Sequence, residues 1–221
     1  MRLKNVPGAR EAVAAHPLCI NSSAGWDKDW PAFFGRSAPL FVEVGMGKGR
    51  FIIELALKHP EINFIGIERY ESVMIRALQK LERMGENAPE NIRFIRMDAQ
   101  YINDFFRPRE IQRIYLNFSD PWPKERHAKR RLTSRQFLAV FDRVLAPDGF
   151  IEFKTDNLPL FEFSLEELES AGWKLKYHSF DLHGDAEAMK DNIMTEYEAK
   201  FSREGGKIYK FIIYREVGDG L

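Results

Sequence analysis

The sequence predicts an α/β fold with a mostly parallel seven-stranded sheet, helices on both faces and an antiparallel closing strand pair. Three observations carry this. From residue 39 to residue 172, short apolar runs alternate with stretches of helical periodicity, the mark of repeated strand–helix units around a parallel sheet. The first such junction is a glycine-rich turn, "EVGMGKG" (43–49). The last two apolar runs, 173–183 and 207–217, alternate and abandon the regular strand–helix order, so they are read as antiparallel strands.

The elements follow in order. Residues 1–38 read as an irregular N-terminal arm, basic at its start (Arg2, Lys4, Arg10) and rich in Trp, Pro and Phe at "WDKDWPAFFG". A single domain then fills 39–221. "PLFVEVG" (39–45) is a short apolar strand, and "RFIIELALKHP" (50–60) is a helix that stops at a proline. "NFIGIE" (63–68) is a strand, and "SVMIRALQKLERMG" (72–85) is a helix closed by glycine. Strands follow at 91–98 and 111–120. The segment 133–149 is an amphipathic helix with Thr133 or Ser134 as N-cap. A strand at 150–157 and a helix at 158–172 complete the alternating part, and one helical segment, 190–205, lies between the closing strands.

The chain has 221 residues, 44% hydrophobic and 30% charged, a composition that excludes disorder and suits one buried core. Its 33 basic residues balance 33 acidic ones, so any electrostatic footprint must be local. One cysteine, Cys19, excludes an intramolecular disulfide and a polycysteine metal site and suits a reducing cytosol. Glu11, His16 and Pro17 interrupt the N-terminus, so a signal peptide is rejected, and no apolar run is long enough to span a bilayer.

Gly45, Gly47 and Gly49 let the chain turn tightly and let a ligand approach the backbone. Glu68 ends the next strand, about 20 residues on, where a carboxylate suits two ribose hydroxyls. A turn without a ligand is the plain alternative, and the acid argues against it. The spacing is G-x-G-x-G behind Glu43 rather than G-x-G-x-x-G, which favours S-adenosylmethionine over a dinucleotide. Lys48 does not make a P-loop. Asp98, closing the third strand, is either a solvated acid or an acceptor for an adenine amine. Ligands of open α/β sheets bind at the carboxyl ends of the strands, which makes three acids there the more telling.

"NFSDPWPKERHAKRRL" (117–132) leaves the fourth strand with Asp120, which would face a cofactor held there. Pro121 and Pro123 stop further pairing, and Trp122 adds a flat face. Behind them come Lys124, Arg126, Lys129, Arg130, Arg131 and Arg135 against Glu125 alone. So biased a run is not a mixed solvated face, and phosphate of a nucleic acid is its natural partner.

"VEVGMGKGRF", "GIERY", "NFSDPWPKERHAKRRL", "FKTDN" and "MTEYEAKF" together resemble the bacterial tRNA (guanine-N7-)-methyltransferases, in family order from residue 43 to residue 201. The glycine turn is shared by many methyltransferases; the later segments are particular to this family. The resemblance implies a Rossmann-like class I methyltransferase that transfers methyl from S-adenosylmethionine to guanine N7 in tRNA, at position 46 of the variable loop. It implies that Glu43, Glu68, Asp98 and Asp120 line the cofactor pocket beside the glycines, with Asp120 catalytic. Lys124, Asp156, Thr195, Glu196, Tyr197 and Glu198 would meet the guanosine or its surroundings, while Arg126, Lys129, Arg130 and Arg131 would face tRNA phosphate. It further implies a cytoplasmic monomer or homodimer with no metal and no obligatory protein partner.

Three rivals stand beside it. A methyltransferase for exocyclic amines would favour Asp/Asn-Pro-Pro-aromatic at the fourth strand, where this chain has Trp122. A catalytically silent RNA-binding module would not need the cofactor acids. A nicotinamide oxidoreductase would want the other glycine spacing. Without the family, "TEYEAKF" reads first as a plain amphipathic helix with Tyr197 and Phe201 on one face.

Overall fold

The computed structural model describes residues 6–216. Arg2, Lys4 and Val217 lie outside the described residues. The chain divides into two compact units, residues 1–107 and 108–221.

The N-terminal unit opens with α1 (Ala9–Ala15), β1 (Cys19–Ile20) and α2 (Trp30–Phe34). The expectation of an irregular start therefore holds only in part. α2 forms because Asp29 caps it, accepting from the Ala32 amide at 3.0 Å, and Gly35 ends it in a left-handed conformation. Then come β2 (Leu40–Val44), α3 (Arg50–Lys58), β3 (Asn63–Glu68), α4 (Glu71–Met84), β4 (Ile92–Arg96) and α5 (Ile102–Phe105). Strands β1, β4, β3 and β2 lie side by side, all parallel. Every residue of β3 is buried, as a strand covered on both faces requires. Val42, Phe64, Ile65, Phe94 and Ile95 of the sheet and Ile52, Met74 and Leu78 of the helices form the core.

The C-terminal unit contains β5 (Ile111–Asn117), α6 (Arg135–Val144), β6 (Leu145–Thr155), α7 (Leu158–Ser170), β7 (Lys174–Ser179), α8 (Ala186–Lys190), α9 (Glu196–Arg203) and β8 (Tyr209–Tyr214). β5 and β6 are parallel, and β8 pairs antiparallel with both β6 and β7. Ile114, Leu116, Ile151, Phe153, Phe211 and Ile213 bury the sheet against Leu138, Phe141 and Phe161.

The fold is α/β and Rossmann-like, a mostly parallel sheet with antiparallel closing strands. Among the described residues it has eight strands rather than seven, because the two-residue β1 pairs Cys19 with Phe94 and Ile20 with Ile95. The helix expected over 133–149 ends at Val144. Leu145 already pairs with Ile111, and residues 146–149 bulge before Phe150 rejoins opposite Arg113. The helix expected over 190–205 begins only at Glu196, because residues 192–195 lie in no regular element and Thr195 caps its start; the shorter α8 precedes it.

Candidate active site

In the N-terminal unit, β2 runs into the glycine turn and β3 into Glu68. The amides of Gly45 and Met46 both donate to the Ile67 carbonyl, at 2.9 and 3.0 Å, tying the turn to β3. Gly45 and Gly47 have φ of 78° and 58°, and a Cβ on either would meet nothing within 4 Å. Backbone conformation, with open space above it, is what glycine provides there. Gly49 differs, for its Cβ would lie 2.7 Å from the Ala77 Cβ, so it also sets the approach of α3 to α4.

Glu68 is only 8% exposed. One carboxylate oxygen accepts from the amides of Arg69 (2.8 Å) and Tyr70 (3.0 Å), and the other from Gly47 (3.1 Å). Burial raises its pKa, and those three amides and the Arg69 charge oppose the rise without cancelling it. Glu43 is 2% exposed, beside Gly66 in the strand register. Asp98 pairs with Arg69 at 3.2 Å and accepts from the Gln100 amide at 3.2 Å. Arg69 also donates to the Tyr70 hydroxyl. Sequence reasoning missed this Arg69–Asp98 pair, because nothing in the spacing joins residues 29 positions apart. Open backbone at Gly45 and Gly47 beside a buried acid with acceptor capacity suits a nucleoside-bearing cofactor, so the residues present fit S-adenosylmethionine.

In the C-terminal unit, β5 ends in a turn that exposes Asp120. Phe118 and Trp122, on either side, have φ of 51° and 43°, a conformation side chains disfavour. Two contacts hold it. The Phe118 amide donates to the Lys154 carbonyl at 2.8 Å. Arg131 donates to the carbonyls of Pro121 (3.0 Å) and Trp122 (3.1 Å), with its guanidinium 4.2 Å from the Phe163 ring. Arg131, expected at the phosphate surface, is therefore turned inward to brace the turn. Arg135 is likewise engaged, by Glu167 at 2.7 Å. Lys124, Arg126, Lys129 and Arg130 are exposed, on and just before a short 3-10 helix, Glu125–Arg130. Trp122 has a stacking partner that the sequence did not reveal: the Arg130 guanidinium lies 5.0 Å from its ring.

Asp156 follows β6, and its carboxylate accepts from the Tyr197 hydroxyl at 2.8 Å. Partial burial and that bond push the Tyr197 phenol up to about 12. The Tyr197 ring packs on Phe118 at 5.1 Å and Phe201 at 5.9 Å, so the one-face pairing of Tyr197 and Phe201 exists beside the polar contact. Thr195 caps α9, accepting from the Glu198 amide at 2.9 Å, and Glu198 accepts back from the Thr195 amide at 3.4 Å. Glu196 is half-buried in the first turn. Glu198, expected among the groups meeting guanosine, is fully buried. Its carboxylate accepts from Lys154 (2.8 Å) and Asn192 (2.8 Å), with His183 at 3.1 Å. Its carboxylate ties Lys154, Asn192 and His183 together. Lys154, its partner, is the residue that sequence reasoning overlooked. A lysine among strand hydrophobics, two before Asp156, was the available signal.

Among the described residues, no helix is long and apolar enough to cross a membrane. No cluster of three or more His, Cys, Asp or Glu side chains among them could hold a metal ion.

A strand–glycine–helix turn, an acid at the next strand end and an antiparallel closing strand define a class I methyltransferase fold. Solved structures agree. An antibiotic-related methyltransferase superposes with TM-score 0.62 at 17% identity, covering 85% of this chain and 92% of that one. A 16S rRNA (adenine(1408)-N(1))-methyltransferase from Catenulisporales acidiphilia, solved with the cosubstrate SAM, gives 0.59 at 16% identity, covering 88% and 94%. A family model described as "Putative methyltransferase" matches residues 37–211. The tRNA (guanine-N(7)-)-methyltransferase of Lachnoclostridium phytofermentans is 50% identical, over 98% of this chain and 99% of its own length. That of Halalkalibacterium halodurans is 49% identical over 95% and 94%. The chain belongs to the tRNA (guanine-N(7)-)-methyltransferase family.

Proposed function

We propose that this enzyme transfers the methyl group of S-adenosylmethionine to N7 of a guanosine in tRNA, at position 46 of the variable loop, forming 7-methylguanosine in the cytoplasm. The observation that carries this is the near-full-length identity to curated enzymes of that name. S-adenosylmethionine supplies a methyl group already activated on a sulfonium. Guanine N7 carries a lone pair and no proton, so the chain need not uncover a nucleophile. Its task is to position and to stabilise charge, and alignment can contribute roughly 7–11 kcal/mol.

In this reading the glycine turn, Glu43, Glu68 and Asp98 hold the cofactor. Asp120 is the catalytic acid, acting by orientation and charge. A carboxylate accepting from the guanine N1 and N2 donors gains strength as the ring becomes cationic. Asp156, already accepting from Tyr197, is the candidate for that role. Lys124, Thr195, Glu196 and Tyr197 surround the base, while Arg126, Lys129 and Arg130 hold phosphate. The enzyme needs no obligatory protein partner, as monomer or homodimer.

The test is methyl transfer from labelled S-adenosylmethionine to unmodified tRNA, followed by nucleoside analysis. Label is expected in 7-methylguanosine and is lost when guanosine 46 is replaced by adenosine. Label in 1-methylguanosine or a methyladenosine overturns the assignment.

A further inference from the structure

We infer that Lys154 is the positioning residue of the guanosine-recognition segment: its buried ammonium holds residues 192–198 against the end of β6, and so sets Tyr197 against Asp156. The inference rests on the function proposed above.

Lys154 and Glu198 are both fully buried. The Lys154 ammonium donates to Asn192 Oδ1 (3.1 Å), the Ile193 carbonyl (2.9 Å) and Glu198 Oε2 (2.8 Å). Three protons thus meet three acceptors of one short segment. The Lys154 carbonyl meanwhile accepts from the Phe118 amide at 2.8 Å, at the start of the turn that carries Asp120. One residue therefore touches both the catalytic turn and the segment bearing Thr195 and Tyr197. The chain closes on itself where the Tyr197 ring meets Phe118 and its hydroxyl meets Asp156.

Stability alone does not call for this arrangement. Replacing a buried ion pair by apolar groups is often neutral or stabilising, whereas removing one partner leaves a costly buried charge. Burial lowers the Lys154 pKa and would raise that of Glu198. The charge and hydrogen bond of Lys154, with bonds from Asn192 and His183, outweigh burial and hold Glu198 below the usual carboxylate range. Lys210, opposite Lys154 in the strand register, has its own acid, Glu152, at 2.9 Å. Glu198 is thus the acid given to Lys154. Three directional bonds from one point add a defined location for 192–198, which an apolar contact would not supply.

The test uses two double variants of the full chain, Lys154→Met/Glu198→Met and Lys154→Gln/Glu198→Gln. S-adenosylmethionine affinity and binding stoichiometry measure the folded fraction, and steady-state kinetics are read with tRNA. The Met/Met variant is expected to bind the cofactor normally and to lose about 100-fold in kcat, the scale of a small misplacement of reactants. Its KM for tRNA, set by the exposed cations, should not move. The Gln/Gln variant keeps a hydrogen-bonded pair without charge and is expected to recover to within roughly tenfold of the parent.

A Met/Met variant with parental kcat overturns the inference, because the pair then serves folding alone. A folded Gln/Gln variant as slow as Met/Met overturns it too, because the Glu198 charge would then act on the substrate itself. If neither double variant folds, Asn192→Ala decides: a kcat loss with unchanged cofactor affinity supports the positioning role, and an unchanged kcat refutes it. Absence of 7-methylguanosine from tRNA treated with the parent enzyme would instead refute the proposed function.

Discussion

Glu68 carries opposed demands. Its carboxylate is buried, and burial raises its pKa, so the folded protein holds a proton there at a pH where the unfolded chain has lost it. Its contribution to stability is therefore largest at low pH and falls as pH rises through the raised value. Cofactor binding runs the other way, because ribose hydroxyls donate best to the ionised form. S-adenosylmethionine affinity is expected to weaken as pH falls through the raised value. The onset should lie above the ordinary carboxylate pKa of 4.5. Titration calorimetry checks this, and Glu68→Gln should bind weakly with that pH dependence removed. The position of Glu68 at a strand end was legible in the sequence. That the Gly47 amide would join those of the neighbouring Arg69 and Tyr70 on it was not, since Gly47 reaches Glu68 only through the pairing of β2 with β3.

The basic turn and α9 show what an element adds to its residues. The bias of charge over 124–135 was plain from the sequence, but its division of labour was not. Arg131 is drawn inward by carbonyl oxygens and the exposed Arg135 is paired with Glu167, while Arg126, Lys129 and Arg130 remain exposed. Neutralising those three is expected to weaken tRNA binding and flatten its salt dependence, by roughly 0.7–0.9 in the log–log slope for each phosphate contact removed. Arg131→Gln should instead lower kcat and leave that slope unchanged. Filter binding across a salt series, with kinetics in parallel, separates the two. In α9 the capping box written in "TEYE" satisfies amides at the helix start. The same Thr195 and Glu198 that looked like ligand contacts are thus also the reason the helix begins where it does.

For the molecule, residues 6–38 carry more structure than their irregular sequence suggested. Trp30 is 2% exposed, donates to the Phe105 carbonyl at 3.1 Å and stacks on Phe106 at 5.2 Å. Trp26 donates to that same carbonyl at 3.0 Å. Trp30→Ala is expected to cost about 3–5 kcal/mol, measured by urea unfolding. Aromatic residues separated by more than 70 positions find each other only in the folded chain, so no local pattern announced this anchor. What the sequence by itself determined was local: the strand–helix alternation, the φ-demanding glycines, the acids at strand ends and the run of cations. Each follows from a residue's own conformational or charge preference, or from its immediate neighbours. What only the tertiary structure decided was which polar groups are buried and against what. Lys154 with Glu198, Arg131 with the Trp122 turn and Tyr197 with Asp156 are partnerships across sequence gaps. Burial makes an unpaired charge costly and a paired one directional, and that energetic choice is made by packing.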